Sequence, residues 1–460
     1  MKENKLRDGN VKDLLISMSI PAILGQLVTL IYSMVDRMFI GHMEEVGGLA
    51  LTGVGLTTPL LIIISAFAVL IGMGGAPRAS IKMGEDDYDG AEKILGNSLY
   101  LLLIISLVLT GFFLYFSRSL LMVFGASSET IGYAMDYMGI YSLGIIFVQL
   151  SLGLNPFISS QGFVKASMFT VLIGALTNIV LDPIFIYGLK MGVKGAALAT
   201  ILSQGLSAYL VVRFLRGDKS NLKIKKVNMT LEAPLVKSII LLGLSPFIMQ
   251  FTESLIIVAF NANLQRFGGD AAVGAMTILS SVMQFVFLPL SGLTQGAQPI
   301  MSYNYGAKNE KRMAETFRLL FIACLTYSTI FWLFIMAFPG LFARGFTSDG
   351  QIIEIAKYGL RIYMAGSFAL GIQVACQQTF IAMGNAKTSL FLALLRKVFL
   401  LIPLIYILPR IMSNQLMAVF LAEAISDLIA ASVTGLMFKN RFKSTIEDLG
   451  QLEEMDQVGA

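Results

Sequence analysis

The chain has 460 residues, of which 56% are hydrophobic and only 14% are charged, and its formal net charge is +5. A soluble protein of this length carries charge on about a quarter of its residues, so most of this surface must face something other than water. The composition therefore excludes an ordinary soluble domain. The lack of strand-like alternation argues against a transmembrane barrel.

The first predicted element is an apolar segment that follows the polar start MKENKLRDGNVKD. It is longer than the core of a signal peptide and no small-residue cleavage site ends it, so we interpret it as a membrane span. Eleven similar segments follow, each long enough to cross about 30 Å of hydrocarbon. The twelve predicted spans are 14–40, 49–76, 94–116, 131–161, 167–188, 194–214, 235–265, 271–300, 314–338, 352–382, 388–409 and 414–438. They are numbered span 1 to span 12 below.

The spans divide into two halves. We predict an N-lobe over 14–215 and a C-lobe over 235–438, joined by a basic linker over 216–234 and flanked by tails over 1–13 and 439–460. If the N-terminus is cytoplasmic, most of the 34 Lys and Arg residues lie on the cytoplasmic side, which is the positive-inside pattern. Both tails are therefore expected in the cytoplasm of a bacterium, with the chain in its inner (plasma) membrane. The basic linker is interpreted as a topology determinant rather than as a nucleic-acid site.

The two halves repeat each other. Residues 124–169 match residues 346–391 without a gap, and ten of these 46 positions are identical, including Gly, Lys and Tyr pairs. Six spans per half give both halves the same orientation, which implies a pseudo-two-fold axis along the membrane normal. The predicted fold is an all-α polytopic membrane protein with twelve transmembrane helices in two six-helix lobes. Such a pair of bundles suits alternating access.

Acidic residues inside the spans are the strongest functional signal, because each costs roughly 2.5 to 3.5 kcal/mol to insert into a bilayer. Asp36 in span 1 and Asp182 in span 5 both lie five or six residues from the outer end of their span, roughly 7–9 Å below the boundary. Thr200 in span 6 shares that depth. Tyr32 and Asn178 each precede one of the aspartates by one helical turn. We predict that these five side chains form one polar pocket.

Two carboxylates in a dry pocket cannot both be charged without a counter-ion, and they are expected to titrate as a coupled pair. A shared H⁺ solves this problem. A Na⁺ held by Asp36, Asn178, Asp182 and Thr200 solves it equally well, and the sequence leaves both ions open. Pro183 cannot donate a hydrogen bond to the Ile179 carbonyl, so a helix kink is expected there. The freed carbonyl could assist a cation or a water.

The acids in the second half permit two interpretations. Glu253 in span 7 is either a second cation or substrate site or a hydrogen-bonded structural acid. Glu423 and Asp427 in span 12 are one turn apart and are expected to pair with Arg396 or Lys397 of span 11.

Other chemistry finds little support in the sequence. The two cysteines lie inside spans without a CxxC pair, and the only histidine, His42, is at a span end, so no metal site is expected. No P-loop is present, so ATP does not drive this chain directly, and no cofactor is expected. An intramembrane aspartyl protease would also need two buried aspartates, but its GxGD signature is missing. We expect a protein that is not an enzyme.

Three segments carry a family likeness: SIPAILGQLVTLIYSMVDRMFIG, LTNIVLDPIFIYGLKMGVKGAALAT and GLTQGAQPIMSYNYGA. With the twelve spans, they make the chain resemble the multidrug and toxin extrusion (MATE) family over its whole length, in its MepA-like and DinF-like bacterial branch. The resemblance implies an efflux antiporter that exchanges small cationic or amphipathic drugs for H⁺ or Na⁺, and we expect the chain to be a monomer. A lipid-linked oligosaccharide flippase of the same superfamily is the alternative, although few Lys or Arg residues lie in the spans.

The family's N-lobe cation network carries over to Tyr32, Asp36, Asn155, Asn178, Asp182 and Thr200. The C-lobe departs from the NorM-like pattern of a span 7 Glu with a span 10 Asp, because the GSFALGIQVACQQTFIAMG segment of span 10 contains no acid. The resemblance therefore implies ion coupling through the N-lobe.

Overall fold

The computed structural model describes residues 5–43, 46–347 and 349–458, and these residues form helices without any strand. The helices up to the linker are Lys5–Asp8, Val11–Gly41, Gly47–Gly55, Thr58–Gly84, Tyr88–Val123, Ile131–Leu143, Ile145–Ser159, Val164–Pro183, Ile184–Gly188 and Val193–Arg216. A single turn, Lys226–Asn228, interrupts the linker. The helices after it are Ala233–Gly306, Glu310–Ala337, Pro339–Phe346, Gly350–Tyr363, Ser367–Ala369, Leu370–Ala382, Ala386–Leu394, Leu395–Leu401, Ile402–Ile411 and Gln415–Val458.

Twelve spans account for these helices. Within the described residues, nine helices are long and apolar enough to cross a membrane, or up to eleven when each bent pair counts as one span. The helix Ala233–Gly306 has 74 residues, or about 110 Å of length, which is more than twice the thickness of a bilayer. Its backbone breaks at Gly269, where φ is 63° and ψ is −162°, a conformation favourable only for glycine. The two arms are spans 7 and 8, and the chain is a multi-pass membrane protein with the predicted fold class.

The internal repeat is visible at two bent spans. Span 4 bends by 60° between Leu143 and Ile145, and span 10 bends by 48° between Tyr363 and Ser367. Gly144 and Gly366, which are equivalent in the repeat, lie at the two bends. A Cβ on Gly144 would lie 2.5 Å from the Ile201 side chain, and one on Gly366 would lie 2.6 Å from the Ala424 carbonyl oxygen. Close helix contact thus requires glycine at both bends.

Contacts divide the chain into two compact units. The first is Leu24–Phe247, and the second combines Met1–Ile23 with Ile248–Ala460. Each boundary falls inside a span, just after Pro21 or Pro246. The lobe boundaries deduced from the sequence, 14–215 and 235–438, differ from these contact units and remain predictions.

Close backbone packing explains the first unit's boundary. A Cβ on Gly243 in span 7 would lie 1.7 Å from the Leu70 carbonyl oxygen, and one on Gly74 would lie 2.1 Å from the Ile239 carbonyl oxygen. The start of span 7 therefore lies directly against span 2 and belongs to the first unit. The same kind of contact places Ser19 of span 1 in the second unit, because a Cβ on Gly296 would lie 2.5 Å from the Ser19 backbone nitrogen.

Candidate functional site

Two carboxyl groups and one amide lie together in the first unit. The Asn178 Nδ2 donates a hydrogen bond of 3.2 Å to Asp182 Oδ1, and both side chains are buried. The Asp36 carboxyl group lies close enough to that of Asp182 for a direct side-chain interaction. Near them, the Tyr187 hydroxyl donates to the Phe39 carbonyl oxygen at 2.5 Å and holds span 5 against span 1. The two aspartates that sequence depth predicts to meet are therefore neighbours.

Oxygen atoms of this group lack hydrogen-bond partners. Asp36 Oδ1, Asn178 Oδ1 and Asp182 Oδ2 are all buried, and none has a partner among the residues that the structure describes. An unsatisfied buried acceptor costs about 1–3 kcal/mol, and more when it is charged. Two carboxyl oxygens and one amide oxygen without partners among the described residues need a proton or a small hard cation rather than another acceptor. The chemistry of this donor set fits H⁺ and Na⁺.

Two tyrosines complete the surroundings. Tyr32 lies next to both acids, as predicted. Tyr137 in span 4 hydrogen-bonds to Thr200 and also lies next to Asp36 and Tyr32, and its ring stacks on that of Tyr141 at 5.9 Å. The sequence interpretation missed Tyr137. Depth could have found it, since Tyr137 is six residues inside the outer end of span 4, about 9 Å from it.

Local sequence features set the positions of these side chains. The α-helix of span 5 ends at Pro183, and a π-helix follows over Ile184–Gly188. Proline cannot supply the N–H that an α-helix needs, and short π segments frequently occur at functional sites. The kink predicted at Pro183 thus coincides with a change of helix type directly after Asp182.

The start of span 6 packs on this π-helix through Gly195. A Cβ on Gly195 would lie 2.7 Å from the Phe185 carbonyl carbon and 3.0 Å from the Ile186 nitrogen. Backbone atoms cannot rotate away as a side chain end can. Gly195 therefore allows span 6 to bring Thr200 to Tyr137, which lies next to Asp36.

We expect Gly195→Ala to push span 6 away from span 5. Overpacking of this kind costs typically about 1–3 kcal/mol. Thermal unfolding of the purified protein should shift to lower temperature, and dye efflux should fall. Gly111→Ala in span 3 is the matched control, since a Cβ at Gly111 meets nothing within 4 Å. Equal stability and efflux in both variants would contradict the packing role of Gly195.

Asn155 lies elsewhere in the first unit. Its Nδ2 donates to the Thr170 hydroxyl at 2.7 Å and to the Ser167 carbonyl oxygen at 3.2 Å. Thr170 is about 18 Å along span 5 from Asp182. These contacts separate Asn155 from the acids, although the resemblance groups it with them. The repeat-equivalent Gln377 likewise donates to the Ser389 carbonyl oxygen, at 3.5 Å, which indicates a structural bond common to both halves.

The second unit holds a separate charged cluster. Arg396 donates to Asp427 at 2.8 Å and to Glu423 at 3.3 Å, and all three side chains are buried. This confirms the expected pairing of the span 12 acids with span 11. Lys397 instead binds Glu253 at 2.8 Å, and the Glu253 side chain is 50% exposed. A π-helix over Leu395–Leu401 contains both cationic residues.

No group of three or more His, Cys, Asp and Glu side chains that could hold a metal ion occurs in the described parts of the chain. The oxygen set predicted for Na⁺ consists of the carboxylates of Asp36 and Asp182, the amide oxygen of Asn178 and the hydroxyl of Thr200. It therefore includes two acidic side chains rather than three.

Comparison with known proteins agrees with this architecture. The chain is 24% identical over 460 residues to the multidrug export protein MepA of Staphylococcus haemolyticus (strain JCSC1435), covering 98% of this chain and 100% of the relative. It is 26% identical over 431 residues to the MepA protein of Staphylococcus aureus (strain NCTC 8325 / PS 47), covering 91% and 92%. A crystal structure of MATE in the bent conformation superposes with a TM-score of 0.91 at 24% identity, covering 98% and 99%.

The sequence model of the MatE family matches residues 21–184 and again residues 246–407, which together are more than two thirds of the chain. One segment lies in each half, in agreement with the internal repeat. The chain belongs to the MatE family of membrane transporters and is not an enzyme.

Proposed function

We propose that this chain is a secondary active multidrug efflux antiporter, which exports cationic or amphipathic organic compounds in exchange for H⁺ or Na⁺ by alternating access. The names of its full-length relatives, multidrug export proteins, support the substrate class. One observation carries the coupling: Asp36 and Asp182 are adjacent inside apolar spans, with acceptor oxygens that have no partner among the described residues. Such a group of acceptors is stabilised by binding a positively charged ligand.

The coupling ion changes the charge of this pocket. With one ion bound, the net charge of the Asp36 and Asp182 pair falls from −2 to −1, and the polar side chains of Tyr32, Tyr137 and Thr200 can repack around it. Without it, two buried carboxylates repel each other, which is unfavourable in apolar surroundings. Binding of the ion and binding of a cationic drug therefore oppose each other, and an ion gradient can drive the drug outwards.

The membrane placement follows from the distribution of Lys and Arg. We propose that the chain lies in a bacterial inner (plasma) membrane as a monomer, with both tails and the linker in the cytoplasm. Asp36 and Asp182 then lie in the outer half of the bilayer, where they exchange ions with the outside.

Glu253 is a second candidate for a cationic ligand. Three carboxylates, those of Glu253, Glu423 and Asp427, surround two cationic side chains, Arg396 and Lys397. With all five charged, the cluster is one positive charge short, and Glu253 is its exposed acid. An organic cation at Glu253 would balance the charge. Lys397 already neutralises Glu253, so this site takes a smaller part in ion coupling than the aspartate pair.

Everted membrane vesicles test the proposed function. A cationic dye should be taken up when either a pH gradient or a Na⁺ gradient is imposed, and collapse of that gradient should stop uptake. The ion whose gradient drives uptake is the coupling ion. Dye movement that responds to neither gradient, with the protein present in the membrane, would exclude antiport.

A further inference from the structure

A cavity of about 570 Å³ lies where span 7 ends and span 11 turns into span 12. Its walls include two arginines, Arg266 and Arg410, together with Tyr406, Ser413 and Gln415. The end of span 7 is held against span 12, because a Cβ on Gly268 would lie 3.1 Å from the Leu416 side chain. All these residues belong to the second unit, so the cavity is complete within it.

The charge of the cavity is positive. None of the described residues that line it is acidic. Neither arginine has an ion-pair partner within the described parts of the chain, and the Arg266 guanidinium lies over the Phe267 ring at 5.4 Å. Two guanidinium groups in one cavity repel each other, so an anion between them is favourable. The planar fork of arginine matches the oxygens of a phosphate group.

The positions of Arg266 and Arg410 along their helices correspond to the headgroup region of a bilayer. Span 7 begins at Ala233, and Arg266 is about 50 Å further along the helix. Arg410 is about 36 Å along span 11 from its start at Ala386. The hydrocarbon core of a bilayer is about 30 Å thick. Arg266 and Arg410 also directly follow the predicted spans 7 and 11, which end at 265 and 409, so we place both arginines at the level of the headgroups.

Exposed apolar side chains lie next to Arg410. Ile411 is 74% exposed, Ile407 is 47% exposed and Tyr406 is 44% exposed. Ile407 and Tyr406 precede Arg410 on span 11, on the side of the hydrocarbon. A ligand with a phosphate group at the two arginines and hydrocarbon chains on the membrane side of it would contact both the cavity and these apolar side chains.

We propose that this cavity binds the phosphate group of an anionic glycerophospholipid, with the acyl chains against Tyr406 and Ile407. Two unpaired positive charges favour a headgroup of net negative charge, such as phosphatidylglycerol, over phosphatidylcholine, whose ammonium group they repel. A free phosphate offers the same oxygens without the chains. The lipid would therefore bind more tightly than the inorganic ion.

Native mass spectrometry of the purified full-length protein, titrated with phosphatidylglycerol, measures this binding. We expect the Arg266→Gln/Arg410→Gln variant to bind phosphatidylglycerol at least about tenfold more weakly than the wild type, because charged hydrogen bonds to phosphate are lost. Phosphatidylcholine should bind weakly to both proteins. Inorganic phosphate at millimolar concentration should not displace phosphatidylglycerol from the wild type.

The matched control is Arg344→Gln/Arg361→Gln, which removes the same charge from two exposed positions of the second unit outside the cavity. It should bind phosphatidylglycerol as the wild type does. An equal loss in both variants, or unchanged affinity in the Arg266/Arg410 variant, would overturn the proposal. Displacement by inorganic phosphate would also overturn it, in favour of a small-anion site. If the double variant does not fold, the single variants Arg266→Gln and Arg410→Gln carry the same comparison.

Discussion

Replacing either aspartate of the buried pair with asparagine should reduce ion-coupled efflux at least about tenfold. Asp36→Asn and Asp182→Asn keep the shape of the side chain and remove one carboxylate from a site that needs both. A bond to a charged group contributes about 1.5–3 kcal/mol, and each 1.4 kcal/mol is a factor of ten. We therefore expect gradient-driven dye efflux to fall at least about tenfold in each variant, measured in cells with equal amounts of protein in the membrane.

Glu253→Gln is the matched control for these variants. It also removes one carboxylate from a membrane span, but one that Lys397 already neutralises at 2.8 Å. The variant leaves Arg396 and Lys397 facing Glu423 and Asp427, with charges balanced, so it should fold and keep its response to the ion gradient. If Asp36→Asn and Asp182→Asn keep that response as well as Glu253→Gln does, the aspartate pair is not the coupling site.

Removing the buried arginine of the second unit should have the largest effect on stability. Arg396 is 2% exposed, lies between Asp427 and Glu423, and stacks on the Phe287 ring at 5.3 Å. Arg396→Met leaves two buried carboxylates without their partner, which typically costs about 3–5 kcal/mol. We expect a large drop in unfolding temperature, or loss of folded protein after extraction from the membrane.

The triple variant Arg396→Met/Glu423→Gln/Asp427→Asn tests the reason for that drop. Neutral replacements of a whole buried ion group are often tolerated, whereas removal of one member is not. The triple variant should therefore recover much of the stability lost by Arg396→Met alone. An Arg396→Met variant as stable as the wild type would show that the cluster does not hold spans 11 and 12 together.

Hydropathy and the internal repeat predicted the fold well, because a bilayer demands long apolar helices. The predicted ends of the spans differ from the observed helices by several residues. Span 1, for example, begins at Val11 rather than Leu14. The helices extend into the headgroup region, where hydropathy no longer marks them.

The aspartate pair was predictable because both residues lie at the same depth in neighbouring spans of one half. Tyr137 was missed because a tyrosine in an apolar span is not unusual by itself. The partner of Lys397 was also missed. Whether Arg396 or Lys397 pairs with Glu253 or with the span 12 acids depends on the direction of each cationic side chain in the π-helix of span 11. An α-helical register does not give that direction.

Asn155 shows the limit of transfer by resemblance. The residue type agrees with the family network, but its hydrogen bonds go to Ser167 and Thr170. The repeat contains the relevant signal, since Gln377 makes the equivalent bond to Ser389 in the other half. A contact common to both halves belongs to their shared packing, whereas Asp36 and Asp182 have no acidic counterpart at the equivalent positions.

The central claim is that a coupling ion and a drug compete through Asp36 and Asp182. Purified protein in detergent, mixed with a cationic dye in weakly buffered solution, allows the released ion to be measured directly as protons or as radioactive Na⁺. The wild type should release about one ion for each dye molecule bound, and the Asp36→Asn/Asp182→Asn variant should release none. Equal ion release from the wild type and this double variant would contradict the claim.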